Sequence, residues 1–479
     1  MLDLKNLFYP KNIAIIGISN HPLKGEMLLN VLLVSEYPGK IYLINPKYSE
    51  LFGRKVYPSI LDVPEDVDLA IIAVAANKCP EIIKQCSGKV KFASIFTAGF
   101  SELNNKELED KVAKIAKEGN VRLLGPNCMG VHCNESRVSF FLRQQAGKIG
   151  NIGFISQSGG HAFTFSIWGI GKGLEFNKTV SIGNQCDLTI QDFVEYFGIE
   201  PNIKIIGAYI EDVKDGEDFC KKVKQVTRKK PVFVWKGGVT EEGKKAALSH
   251  TGALAIPNHL WNPVMKQIGV VSADSLEELG DIMMSSLYLE ASYPKGLNVG
   301  IIVGGGGSSV EITDACAKEG LHVPQFSLDT IKKLLEIVPE VGTITKNPVD
   351  LAGMHFLPEM FGKAVEIVYE DPNIDAVITY QMTERFFWNT ERVRSMGREN
   401  FNFDKSIMKE YERLKDIIKK PLICIVPRLV ETDLEIEKVR INFIKHLANL
   451  KIPTFPSTTR GAKLLVRLAN YNKYLQRQN

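Results

Sequence analysis

Short runs of apolar residues, separated by charged stretches of helical period, repeat along the whole chain. The first set is NIAIIGIS (12–19), KIYLINP (40–46), DLAIIAVAA (68–76), KFASIFTAG (91–99) and VRLLGPN (121–127), with helical segments such as Glu107–Glu118 between them. Strands in a parallel sheet read as continuous apolar runs because helices cover both faces. The pattern therefore predicts a doubly wound βαβ unit over 1–130. A second set follows in IGNIGFISQSGG (149–160), KTVSIGN (178–184), IKIIGAYIED (203–212), KPVFVWKGG (230–238) and GVVSADS (269–275), closed by the helical stretch Leu276–Ala291. Pro and Gly in Ser292–Asn298 predict a linker. A third set runs through NVGIIVGGGGSS (298–309), DAVITY (375–380), KPLICIVPR (420–428) and IPTFPS (452–457). The expectation is an α/β chain of three domains, 1–130, 131–291 and 298–479. In the basic stretch Lys221–Lys230, Val223 and Val226 fall at helical spacing, which predicts a solvated helix face rather than a patch for polyanions.

Composition narrows the functional classes. The 479 residues are 44% hydrophobic and 24% charged, an ordinary globular balance. The net charge is +4, too slight for a nucleic-acid binder with a clustered basic footprint. The longest strictly apolar run, Leu69–Ala76, is far short of the roughly 20 residues that span a bilayer. The opening MLDLKNLFYPKNIAIIG mixes charges and runs straight into a strand, so no signal peptide is read and a cytoplasmic location is expected. No two of the eight cysteines have C-x-x-C spacing, and the eight histidines include no H-E-x-x-H. Reduced thiols and no metal held by this chain alone are expected.

Three strand-to-helix turns are rich in small residues: IIGISNHPLKG (15–25), ISQSGGHAF (155–163) and VGGGGSSVEIT (303–313). Free backbone N–H groups and the helix dipole make such turns anion sites, and glycine lets a phosphate come close. Each turn alone is equally compatible with a tight turn that binds nothing. Together they favour phosphate chemistry. The first lacks G-x-G-x-x-G, and Lys47, not an acid, follows the second strand, which weighs against NAD and for a phosphate. His250, in KKAALSHTGALAIPN, stands among polar residues rather than on an apolar face. An exposed imidazole can carry a phosphoryl group when a carboxylate orients its other nitrogen. The carboxylates just past a strand end are Glu211 and Asp212.

With these residues together, the chain resembles the α subunit of NDP-forming acyl-CoA synthetases, the ADP-forming acetate–CoA ligase group, with succinyl-CoA synthetase as a more distant relative. The matching motifs are NIAIIGIS, KIYLINPK, YPSILDVPEDVDLAIIAV, LLGPNCMGV, GFISQSGG, VSIGNQCDL, YIEDVKDG, KPVFVWKGG, SHTGALA and KNPVDLAG, in family order from end to end. The resemblance implies a Rossmann-like CoA-binding domain followed by two flavodoxin-like domains, the first of these (131–291) being the ligase-CoA domain with the phosphohistidine loop. It also implies a reaction joining a carboxylic acid, CoA and ATP through an acyl phosphate and a phosphohistidine. His250 matches the phosphorylated residue and Glu211 the carboxylate that orients it, with Asp212 as the fallback. Gly17, Ser19, Lys24, Lys47, Val74, Ala75, Ala76, Pro126 and Asn127 match CoA contacts. Ser158, Gly159 and Gly160 match one phosphate-binding helix start. Gly305, Gly306, Gly307 and Ser308 match a second, aimed in the family at the phosphohistidine. No ATP-grasp domain is found, so the resemblance places ATP/ADP and Mg²⁺ on a separate β subunit in an α₂β₂ assembly.

Two departures stand out. The third turn reads VGGGGS where the family is closer to N-A-G-G-P-G, and His161 and Phe163 follow SQSG where small or aliphatic residues are usual. The segment Gln381–Lys405 matches poorly and is expected to be a surface excursion or part of a subunit interface. The competing readings are a CoA-binding regulatory or scaffold protein without turnover, and a Rossmann oxidoreductase.

Overall fold

The computed structural model describes residues 2–21, 25–140, 149–251, 258–289, 292–338, 342–417 and 419–477, without the side chains at 248–251, 258, 354 and 356. Three sheets form, in the α/β class that the apolar runs predict. Two compact units contain them, 1–280 and 281–479.

The first sheet comprises β1 (Asn12–Ile16), β2 (Lys40–Ile44), β3 (Glu50–Leu51), β4 (Arg54–Tyr57), β5 (Val67–Ile72), β6 (Val90–Ile95) and β7 (Arg122–Leu124). Its order is β3-β4-β2-β1-β5-β6-β7, parallel but for the β3–β4 hairpin. Apart from β3 this is the Rossmann order, with the reversal beside β1. The second sheet holds β8 (Gly130–Cys133), β9 (Ile152–Ser156), β10 (Phe176–Ser181), β11 (Ile205–Ile210), β12 (Val232–Lys236) and β13 (Val270–Ala273). Its order is β13-β12-β11-β9-β10-β8, with only β8 antiparallel. Without β8 it is the flavodoxin order, reversing between β9 and β11. In the second unit β14 (Val299–Val303), β15 (Val349–Asp350), β16 (Ala376–Tyr380), β17 (Leu422–Ile425) and β18 (Thr454–Phe455) repeat that order as β15-β14-β16-β17-β18.

The short strands β3, β4, β8 and β15 do not announce themselves as apolar runs. β3, β8 and β15 lie at sheet edges and β4 is next to the β3 edge, where the hydrophobic requirement is weak. The helix Gly216–Thr227 takes in most of the basic stretch, with Val223 and Val226 buried beneath its lysines. The segment 381–405 is a surface excursion only in part, with 391–400 almost all exposed. It supplies the helix Thr383–Ser395 and the start of the helix Phe403–Lys415, and Phe386 and Phe403 are buried with their rings 5.2 Å apart.

The first two sheets are stitched together. The chain at 184–188, leaving β10, runs beside the end of β7: Leu188 N–H donates to Leu123, Cys186 to Gly125 and Asn184 to Pro126. Asp187 there accepts two bonds of 2.9 Å from the Arg122 guanidinium and one of 2.7 Å from the Leu123 N–H. Phe8, ahead of β1, stacks on Tyr196 with ring centroids 5.5 Å apart. Beside it the fully buried Lys178 donates to Glu200 at 2.7 Å, to Asn177 at 2.7 Å and to the Tyr9 hydroxyl at 2.8 Å. Tyr9 in turn donates to Glu135 at 2.6 Å.

Removing one member of a buried ion pair strands the other charge away from water. Lys178→Ala is therefore expected to cost about 3 kcal/mol, read as a lower urea midpoint. Lys91→Ala, at the exposed end of the Lys91–Asp68 pair, should cost less than about 1 kcal/mol.

Candidate active site

The candidate CoA contacts gather at the carboxyl edge of the first sheet. Gly17 follows β1 with φ +94°, and a Cβ there would stand 2.5 Å from the Ala73 carbonyl oxygen and 2.9 Å from Val74 Cγ1. Only glycine lets the β1 and β5 turns approach so closely. Thr97 donates to the Val74 carbonyl at 2.6 Å, and Asn127 N–H donates to Thr97 O at 3.1 Å, tying the turns after β5, β6 and β7 together. After β2, Asn45 donates to the Ile18 carbonyl at 2.6 Å and accepts from the Lys47 N–H at 2.9 Å. Lys47 and Ala75 are exposed, Ser19, Val74, Ala76 and Asn127 half-buried, and Pro126 buried. Lys24 lies outside the described residues. A cradle closed to any Cβ, with an exposed ammonium and no acid after β2, fits a phosphate-bearing ligand.

A second cluster sits where β9 and β11 diverge, the usual ligand crevice of an open α/β sheet. Ser158 caps the helix Gly159–Gly171, its hydroxyl accepting from the His161 N–H at 3.3 Å. A Cβ on Gly159 would lie 2.7 Å from Met129 Cγ, whereas Gly160 is open toward solvent. Gln157, at the tip of β9, reaches across to β11. Its side-chain oxygen accepts from the backbone N–H groups of Glu211 at 2.5 Å and Asp212 at 3.0 Å, and its amide donates to the Asp212 carboxylate. Glu211 is 6% exposed and accepts from the Tyr209 hydroxyl at 3.0 Å. Lys214 stands 2.9 Å from Asp212. Past β12, Lys236 is buried, and burial pushes its amine below the ordinary lysine range, as does nearby Lys244.

His250 occupies the last turn of the helix Glu241–Thr251, whereas the sequence suggested an exposed loop. Its side chain is outside the described residues. That helix packs on the turn Ser101–Leu103. Among the described residues no group of three His, Cys, Asp or Glu could hold a metal ion, and no helix is long and apolar enough to cross a membrane.

In the second unit the glycine turn opens the helix Gly306–Lys318, with Gly305 at its cap. Gly306 and Gly307 are exposed, and Gly305 and Ser308 half-buried. The Arg385 guanidinium donates to the Gly304 carbonyl at 3.0 Å. Arg385 also lines a small cavity with Gly304, Ser308, His355, Tyr380 and Met382. His355 is fully buried, 2.9 Å from Gln381. Burial pushes its imidazole down to about 4.

Sequence reasoning missed Gln157, Tyr209 and Arg385. The signal for Tyr209 was present: in an extended segment residues two apart share a face, and Tyr209 precedes Glu211 by two. Gln157 and Arg385 act across strands, which no local pattern reports.

Three known families match stretches of the chain. A CoA-binding domain family matches 11–134, a succinyl-CoA ligase-like flavodoxin domain 149–285, and a ligase-CoA domain 299–473. The α subunit of acetate–CoA ligase [ADP-forming] I from Pyrococcus furiosus is 34% identical, over 99% of this chain and 98% of that protein. The chain belongs to the ADP-forming acetate–CoA ligase family. Another member, acetate–CoA ligase [ADP-forming] I of Archaeoglobus fulgidus, is 37% identical over 78% of this chain but 54% of its own length. The chain thus spans about half the length of some curated family members. A solved member, a dinucleotide-forming acetyl-coenzyme A synthetase 1 from Ca. Korarchaeum cryptofilum in complex with phosphate and ADP, superposes with a TM-score of 0.82 at 28% identity, over 99% of both chains.

Two outcomes are expected. Gly17→Ala forces a methyl against Ala73 and should weaken CoA binding by about tenfold or more, measured by calorimetric titration. His355 gives a pH signature. Between its ordinary 6.5 and about 4 the unfolded chain binds a proton that the folded chain refuses. Its contribution is complete above pH 6.5 and is lost as pH falls toward 4, by up to about 3 kcal/mol. His355→Gln should flatten that part of the urea-midpoint profile.

Proposed function

We propose that the chain is the α subunit of an ADP-forming acyl-CoA synthetase. It interconverts a small carboxylic acid, CoA and ATP with acyl-CoA, ADP and phosphate. The observation that carries this reading is the pair of groups held at the β9–β11 crevice. A capped helix start at Ser158–Gly160 offers free N–H donors, and Glu211 is fixed beside it through Gln157. These are an anion site and a carboxylate acceptor in one crevice.

In this reading Glu211 accepts from one imidazole nitrogen of His250 and leaves the other as nucleophile. That nitrogen attacks the phosphorus of an acyl phosphate; the P–O bond to the acyl group breaks, and the carboxylate leaves with its electron pair. The phosphoryl group then passes to ADP. A phosphohistidine carries close to two negative charges, and the N–H groups of Ser158, Gly159 and Gly160 serve it without a metal ion from this chain. Gly305, Gly306, Gly307 and Ser308 form a second phosphate-binding turn in the third domain. CoA lies along the carboxyl edge of the first sheet, its phosphates served by Gly17, Ser19, Lys24 and Lys47 and the rest by Val74, Ala75, Ala76, Pro126 and Asn127. The functional segments are 1–130 for CoA, 131–291 for phosphoryl transfer and 298–479 for the third domain. ATP/ADP and Mg²⁺ bind a separate ATP-grasp β subunit in a cytoplasmic α₂β₂ assembly. Relatives named as α subunits support a separate partner.

The test mixes the chain with its β subunit, labelled ATP and Mg²⁺. Acid-labile, base-stable label is expected on the α chain, lost entirely in His250→Ala and slowed at least about a hundredfold in Glu211→Gln. CoA binding without label would favour the scaffold reading instead.

A further inference from the structure

We infer that Tyr209 is a positioning residue for phosphoryl transfer, its phenolic O–H fixing the rotation of the Glu211 carboxylate. The inference rests on the phosphohistidine reading and goes beyond it by naming a group that the chemistry needs but never touches.

Glu211 is tethered twice. Its backbone N–H donates to Gln157 at 2.5 Å, and its Oε1 accepts from Tyr209 at 3.0 Å. The first bond sets where the residue begins; the second sets how its carboxylate is turned. Tyr209 is the last residue but one of β11, and Glu211, just past the strand end, comes two residues later on the same face. The bond is therefore local and survives only while the segment stays extended.

The phenol has little freedom of its own. Its ring lies against His161, centroids 4.5 Å apart, and against Trp235 at 4.6 Å; those two rings are 4.9 Å from each other. The oxygen end is confined by Gly237, where a Cβ would approach the hydroxyl to 2.5 Å. Tyr209 is 7% exposed, and burial first, then the Glu211 charge, push its proton loss well above the ordinary tyrosine range. It is a donor at any working pH. This also assigns His161, a departure from the family pattern, to clamping the tyrosine.

Among the described residues the charged groups near Glu211 are Asp212, engaged by Gln157 and Lys214, and Lys236, which approaches from β12 with Lys244 behind it; the proposed function adds the His250 imidazole. A hydrogen bond donated to the charged form helps a buried carboxylate to stay ionised. Without the phenol, Glu211 should take up a proton at higher pH and turn more freely.

The experiment uses the chain with its β subunit, labelled ATP and Mg²⁺, quenched at millisecond intervals between pH 5 and 8.5. Tyr209→Phe keeps the ring and removes the donor. Phosphohistidine formation is expected to slow about tenfold to a hundredfold, the worth of a hydrogen bond to a charged group. The acid limb of its pH profile should move up by about one unit, with CoA affinity unchanged. In a Glu211→Gln background the same change should have little further effect, because both act through one carboxylate. If Tyr209→Phe does not fold, Gly237→Ala, which crowds the phenol oxygen, should produce the same upward shift. A normal rate with an unmoved acid limb overturns the inference. So does a slower rate at every pH with the limb in place, which is what a packing role would give. No label on the unaltered chain overturns the phosphohistidine reading and the inference with it.

Discussion

One side-chain amide, that of Gln157, holds the second sheet's crevice in its working shape. Where β9 and β11 part company the backbone leaves the ladder, and the N–H groups of Glu211 and Asp212 lose their strand partners. A buried N–H without an acceptor is costly, and Gln157 supplies one oxygen to both. Its nitrogen then binds the Asp212 carboxylate. The capped helix after β9 and the acidic pair after β11 are thus parts of one hydrogen-bonded object. Aspartate or glutamate in place of Gln157 would offer no donor to Asp212 and would set charge against charge.

The two sheets of the first unit answer to the same rule at different scales. Each reverses its winding beside its first long strand, and each gathers its special residues on that edge. In the first sheet the constraint is steric: Gly17 and Val74 approach too closely for any side chain. In the second it is electrostatic and hydrogen-bonded. A ligand rich in phosphates suits the first arrangement, which supplies backbone and the exposed ammonium of Lys47. A transferred phosphoryl group needs the second, which supplies fixed donors and a fixed acceptor.

Much of this was legible in the sequence. The long buried strands, the three glycine turns and Glu211 all follow from local pattern, because parallel strands must be apolar and helix starts must be small. The motif resemblance placed His250 and the Gly17–Asn127 set by order. What stayed hidden was non-local. Edge strands such as β8 and β15 are too short to show a period. The wrap of 184–188 along β7 depends on Asp187 meeting Arg122, 65 residues earlier in sequence. Gln381–Lys405 looked like surface because its charges outnumber its buried faces. Yet Phe386 and Phe403 bury their rings, and Glu384 accepts the Leu429 N–H at 3.0 Å. Composition averages over a helix, whereas burial is decided one face at a time.

The backbone zip between 184–188 and β7 has a consequence for motion. Three main-chain bonds, a two-pronged guanidinium clasp and the Phe8–Tyr196 stack tie the two leading sheets together along one seam. Parting the sheets there would have to break backbone, ionic and ring contacts together, so one substitution at the seam removes only a fraction of what holds it.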